Sequence, residues 1–168
     1  MVVQAMKDTK SQKKNVSRSV TVRVPGATSN LGPGFDSLGL AMNVYNTVTF
    51  DLLDADDKSV PLITLSERTY QKLPRDASNQ IFQLFAAQLG EHSPILSRVR
   101  IHIDCTVPIG AGLGSSGAAA LAALWGADAL LDRQYNEKQL LRKAVAIEGH
   151  PDNVSPSLLG GFTVSAVA

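Results

Sequence analysis

An α+β fold is predicted for this chain, because its strand patterns precede, separate and follow its helical patterns without a regular alternation. Three observations carry that expectation. Residues 19–24 (SVTVRV) and 98–105 (RVRIHIDC) alternate apolar and polar side chains, the period of a half-buried strand. Residues 117–131 are an alanine-rich run of helical composition, entered through a loop of glycines and serines.

Residues 1–18 carry Lys7, Lys10, Lys13, Lys14 and Arg18 against a single acid, Asp8. Lacking aromatic residues and periodicity, they are expected to form a disordered basic leader. No apolar run follows the charges, as a signal peptide would require. Residues 19–168 are expected to form the folded domain. Its first strand should stop at Pro25-Gly26, where a glycine- and asparagine-rich loop runs to Asp36. Residues 45–53 predict a second strand, ended by the acidic turn at 54–57, with residues 60–65 as its hairpin partner.

Ser78 or Asn79 can cap a helix over 80–89, where Ile81, Leu84, Phe85 and Leu89 follow helical spacing and Gly90 closes it. Asn136 can cap another over 137–147. Residues 148–153 form a polar loop, and Gly160-Gly161 introduce a last strand over 162–167. The sequence ends inside that apolar strand, so a further strand or domain is expected beyond it.

Composition narrows the class. With 168 residues, 44% apolar and 18% charged, the chain is long enough for one buried core. The net charge of +1 conceals a basic leader on a mildly acidic remainder. The leader could touch nucleic acid or an anionic membrane, but a solvated tail accounts for it, and neither partner is expected. The longest apolar stretch, at 118–131, is interrupted by Gly126 and Asp128 and is shorter than the roughly 20 residues of a membrane span. A single cysteine, Cys105, excludes an internal disulfide framework and fits a reducing cytoplasm. Its place in an alternating strand predicts a structural thiol.

The loop before the alanine-rich helix holds the chemistry. Backbone N–H groups at a helix start lack intrahelical partners and carry partial positive charge, so the site stabilises an anion such as a polyphosphate. Glycines admit close approach, and Ser115 and Ser116 add hydroxyls that can cap the helix, bind phosphate or reach a Mg²⁺ ion. No lysine follows the glycines, so this is not a Walker A loop. Gly112-Leu113-Gly114-Ser115-Ser116-Gly117 formally matches a dinucleotide fingerprint. However, residues 106–111 separate it from its strand, and the acid that follows, Asp132, falls at a helix terminus and not at the end of a next strand.

Pro108-x-x-x-Gly112-Leu113-Gly114-Ser115-Ser116 resembles the phosphate-binding motif of the GHMP kinase superfamily. Residues 24–40 (VPGATSNLGPGFDSLGL) and 148–156 (EGHPDNVSP), the latter followed by LLGG, are similar to motifs of the homoserine kinases within it. The resemblance covers roughly residues 20–168. It implies a ribosomal protein S5 domain 2-like N-terminal domain, MgATP as phosphoryl donor and L-homoserine as acceptor, in threonine biosynthesis.

The resemblance places Pro108, Ile109, Gly110, Ala111, Gly112, Leu113, Gly114, Ser115, Ser116, Gly117 and Ala118 around the nucleotide. It pairs Ser116 with Glu148 on Mg²⁺, and puts Asn30, Asp36, His150 and Asn153 at the acceptor, with Asn153 near the accepting hydroxyl. Asn153, Glu148 and Ser116 are therefore the expected catalytic residues. Asn79 is a candidate adenine-side contact, which an N-cap role explains equally well. Asp152 is expected only to brace its loop, and His92 and His102 to be solvated.

A full-length homodimer and a C-terminal domain, with a third glycine-rich motif and arginines for the acceptor's carboxylate, are also implied. Arg133 and Arg142 lie in the helical region and do not replace those arginines. The expectation is a complete nucleotide side beside an incomplete acceptor side. Two rival readings stay open: a related kinase for mevalonate or a sugar, and a non-catalytic binding module of the same fold.

Overall fold

The computed structural model describes residues 4–8, 15–90 and 92–166. Its six strands form one sheet: β1 (Gln4–Asp8), β2 (Val16–Ser29), β3 (Leu38–Leu53), β4 (Ile63–Leu65), β5 (Val99–Cys105) and β6 (Phe162–Val164). The spatial order is β1-β2-β3-β5-β4, with β6 against the first residues of β3. Every pairing is antiparallel except β4 with β5.

Alternation sets the faces of the sheet. Val20, Val22 and Val24 of β2, Val48 and Phe50 of β3, and Val99, Ile101 and Ile103 of β5 are buried on the inner side. Each fully buried side chain of this size contributes on the order of 1.5–3 kcal/mol.

The helices α1 (Gln80–Leu89), α2 (Ser115–Leu131), α3 (Glu137–Glu148) and α4 (Val154–Leu159) cover that side. α2 is buried over residues 117–124 and 126–130, as a helix apolar all round must be. It packs against the sheet and against each of the other three helices, while α4 also touches β2 and β3 directly. Phe50 stacks on Phe85 of α1 with ring centroids 5.0 Å apart. Gly126 makes room for that stack, since a Cβ there would sit 2.2 Å from the Phe50 ring.

The expected α+β class and most elements are present, and the differences have physical reasons. Pro25-Gly26 do not end the first strand. β2 continues to Ser29 through a register shift between Pro25 and Ala27, a bulge being where a sheet tolerates proline. Residues 60–65 do not form a hairpin with β3, because β2 and β5 already occupy both its edges. Only Ile63–Leu65 is a strand, and it lies parallel to β5.

The short helix α4 was not anticipated in a stretch containing Pro156. That proline falls in the first turn, where its missing N–H costs nothing. The last strand ends at Val164 rather than 167. In place of a disordered leader over 1–18, Gln4–Asp8 pairs with β2 as β1, and Val16–Arg18 already belong to β2; residues 1–3 and 9–14 lie outside the described residues.

Candidate active site

The phosphate loop leaves the end of β5 and enters α2 at Ser115. Gly110, Gly112 and Gly114 all have positive φ, at 73°, 69° and 62°. Gly114 is needed twice over. It is the left-handed residue preceding α2, and a Cβ there would lie 2.9 Å from Asn153 Oδ1 and 3.0 Å from the Ala27 carbonyl oxygen. Ala27 N also donates to Leu113 O at 3.0 Å. Three stretches far apart in sequence therefore meet at Gly114: the end of β2, the phosphate loop and the loop before α4.

Ser116 Oγ donates to Glu148 Oε1 at 2.9 Å, and Gln80 Nε2 donates to Ser116 Oγ at 3.2 Å. Glu148 is the last residue of α3, where its charge is unfavourable to the dipole of its own helix. Its carboxylate instead lies against the first turn of α2, whose N–H groups and positive helix end favour it. The expected pairing of Ser116 with Glu148 is thus a direct contact between two hard oxygens.

His150, Asp152 and Asn153 form the second cluster. Asp152 is fully buried, and its Oδ1 lies 2.6 Å from His150 Nδ1 and accepts from Asn153 N at 2.9 Å. Among the described residues, Asp152 Oδ2, Asn153 Oδ1 and Ser157 Oγ are buried without a hydrogen-bond partner. Unpaired buried polar atoms are costly, so such a concentration points to a functional constraint on this loop.

Asn30 and Asp36 lie at the two ends of the loop joining β2 to β3. Both have left-handed backbones, with φ of 57° and 52°, and both are exposed. Asn30 Oδ1 accepts from Asp36 N at 2.9 Å, which fixes the loop's bend. Among the described residues no hydrogen bond joins either residue to His150 or Asn153. The two clusters are joined through β3, since Gly39 packs so closely on Asp152 that a Cβ would come within 1.9 Å of its carbonyl oxygen.

Beside the phosphate loop lies a cavity of about 380 Å³, walled by Leu73, Pro74, Ile81, Val107, Ile109 and Ala119, with Ser115 and Ser116 also on its lining. Asn79 lines it too, but both ends of its amide are engaged: Oδ1 accepts from Ile81 N at 3.0 Å as the α1 cap, and Nδ2 donates to Pro74 O at 2.8 Å. Cys105 is on the same wall, half-buried. Desolvation, aided by the neighbouring Asp104 charge, pushes its thiol up to about 12. It is a structural thiol and no nucleophile.

Sequence reasoning missed Asn46 and Gln80 on this lining. Gln80 sits just inside a helix start, where nothing distinguishes it. Asn46 carries a signal: an amide on the inner, otherwise apolar face of β3. His102 is exposed as expected, though its Nδ1 lies 2.8 Å from Thr64 Oγ1.

An apolar cavity thus opens beside a glycine-rich helix start that carries a serine–carboxylate pair, a geometry suited to a ligand with an apolar ring and an anionic group. Residues 76–161 match the family model described as GHMP kinases N terminal domain, and the chain belongs to this family. It is 40% identical over 154 residues to the homoserine kinase of Microchaete diplosiphon, covering 92% of this chain and 49% of that protein.

The crystal structure of a homoserine kinase from Cytophaga hutchinsonii superimposes with a TM-score of 0.70 at 30% identity, covering 94% of this chain and 50% of that one. A Staphylococcus aureus mevalonate kinase, at 19% identity and a TM-score of 0.63, shares the fold alone. The chain spans about half the length of the curated relatives it matches.

Proposed function

We propose that this chain supplies the nucleotide side of a homoserine kinase, which transfers the γ-phosphoryl group of ATP to the side-chain hydroxyl of L-homoserine and yields O-phospho-L-homoserine. The observation that carries the reading is the meeting at Gly114, where two homoserine-kinase-like motifs close on the phosphate loop through Ala27 and Asn153. The loop N–H groups and Ser115 hold the phosphates, and the apolar cavity takes the base. Asn153 orients the accepting hydroxyl, with His150, Asn30 and Asp36 around the amino acid.

Phosphoryl transfer of this kind needs positioning and charge neutralisation more than a strong base. Ser116 and Glu148 fit a Mg²⁺ ion, which binds through one or two protein oxygens together with substrate phosphates. Among the described residues no larger cluster of metal-ligating side chains exists. When bound, the ion would neutralise phosphate charge. The reading further places the enzyme in the cytoplasm, in threonine biosynthesis, as a homodimer at full length, acting on a small molecule rather than on nucleic acid or membrane.

The test is calorimetric binding of MgATP, followed by ADP release with a panel of L-homoserine, mevalonate and galactose. MgATP should bind and L-homoserine should be the acceptor. Turnover of mevalonate or galactose in its place overturns the choice of acceptor, and failure to bind MgATP removes the nucleotide reading.

A further inference from the structure

We propose that Asn46 reads the base of the bound nucleotide, its Nδ2 donating a hydrogen bond to a ring nitrogen of the purine; this rests on the nucleotide reading above. Asn46 ends an inward-facing row on β3 whose other members, Val48 and Phe50, are fully buried. Alternation calls for an apolar side chain at that position. An amide there, only 2% exposed, is costly unless its polar atoms find partners. Oδ1 has one, accepting from Val107 N at 3.2 Å. Nδ2 has none among the described residues, yet it is absent from the buried atoms sealed off without a partner. Asn46 lines the 380 Å³ cavity, so the open side of Nδ2 is the cavity itself.

The other amides and the Ser78 hydroxyl on that lining each already spend at least one polar atom on the protein. Asn79 caps α1 and ties to Pro74, Gln80 donates to Ser116, and the Ser78 hydroxyl donates to Asp76 Oδ1 at 2.6 Å. Pockets of this kind are mostly apolar, with a few placed polar groups that set specificity. A purine offers unprotonated ring nitrogens as acceptors, the complement of a lone amide donor. Asn46 thereby joins Asn79, the expected adenine-side contact, on the same lining.

The test compares binding of ATP with that of its 1-deaza, 3-deaza and 7-deaza analogues to the chain by calorimetry. One neutral hydrogen bond predicts that a single analogue binds roughly 3- to 10-fold more weakly than ATP, the other two staying close to it. Asn46→Asp keeps an oxygen to accept from Val107 N but loses the donor. It should bind ATP and that analogue equally, whatever its charge does to all four ligands alike. Asn46→Ala, which carries no charge, should lose the same discrimination. The proposal is overturned if the unsubstituted chain binds all four ligands alike, or if Asn46→Asp keeps the penalty. An unsubstituted chain that binds ATP but does not discriminate among the analogues refutes the role of Asn46 alone, whereas no ATP binding at all refutes the nucleotide reading with it.

Discussion

The two sides of the site are built differently. On the nucleotide side, the cavity and phosphate loop are shaped by strand, helix and glycine geometry, and Ser116, Gln80 and Asn79 are already hydrogen-bonded. On the acceptor side, Asn30 and Asp36 sit exposed at left-handed positions that non-glycine residues adopt only at a cost, and Phe35 beside them is 74% exposed. A rigid, apolar base and a polyphosphate can be received by a preformed cradle. On the proposed function a small zwitterion offers little surface, so a few polar groups must select it, and Asn30 and Asp36 would do so from these left-handed positions. The contrast teaches that nucleotide affinity should resist changes that acceptor recognition does not.

The largest effect is expected at the junction of the two sides. Glu148→Gln removes the charge that Ser116 contacts while keeping the shape. Turnover should fall about 100- to 1,000-fold, the range seen when one group stabilising transition-state charge is lost. A titration of ATP affinity with Mg²⁺ should lose its metal dependence in this variant. Retained metal dependence would place the ion elsewhere.

Next comes Gly39→Ala. Its Cβ would meet the Asp152 carbonyl oxygen at 1.9 Å, and backbone cannot turn aside as a flexible side chain can. Overpacking of this severity should cost roughly 2–4 kcal/mol in urea denaturation and displace the acceptor loops. Full stability in the variant would show the acceptor side to be looser than its packing implies. Smaller again is Asp36→Asn, which on the proposed function removes a partner for the ammonium group of homoserine. KM for homoserine should rise about 3- to 10-fold with ATP affinity unchanged. Lost kcat at unchanged KM would assign Asp36 to the chemistry instead of to binding.

Much of this arrangement was legible in the sequence where local physics decides. Asn79 and Asn136 cap the helices as expected, the latter with Gln139 in a reciprocal capping box, and the strict alternation of RVRIHIDC became β5. The pairing of Ser116 with Glu148 was readable only through family resemblance, because the two stand 32 positions apart in sequence. What could not be read was set by neighbours in space. The continuation of β2 past Pro25 depends on a bulge and on Leu113 O, and the parallel placement of β4 on both edges of β3 being occupied. Asn46 needed the cavity to give its amide a meaning.

Gly117→Ala is the smallest expected effect and the sharpest check on the comparison, because it makes the same chemical change as Gly39→Ala on the opposite side. Gly117 lies in the first turn of α2, and a Cβ there would meet Val154 Cγ2 at 3.6 Å, Asn153 Cβ at 3.7 Å and Glu148 Oε2 at 3.8 Å, all ordinary contacts. Its φ is not among the positive ones, so alanine fits the backbone unstrained. Within a helix, alanine is favoured over glycine by roughly 0.5–1 kcal/mol, through entropy lost from the unfolded chain. The melting temperature should therefore rise by about 1–4 °C, with ATP affinity changed by less than about twofold. A fall in either quantity would mean that the start of α2 closes further around its ligand than the structure shows. In that case the nucleotide side would be as dependent on rearrangement as the acceptor side.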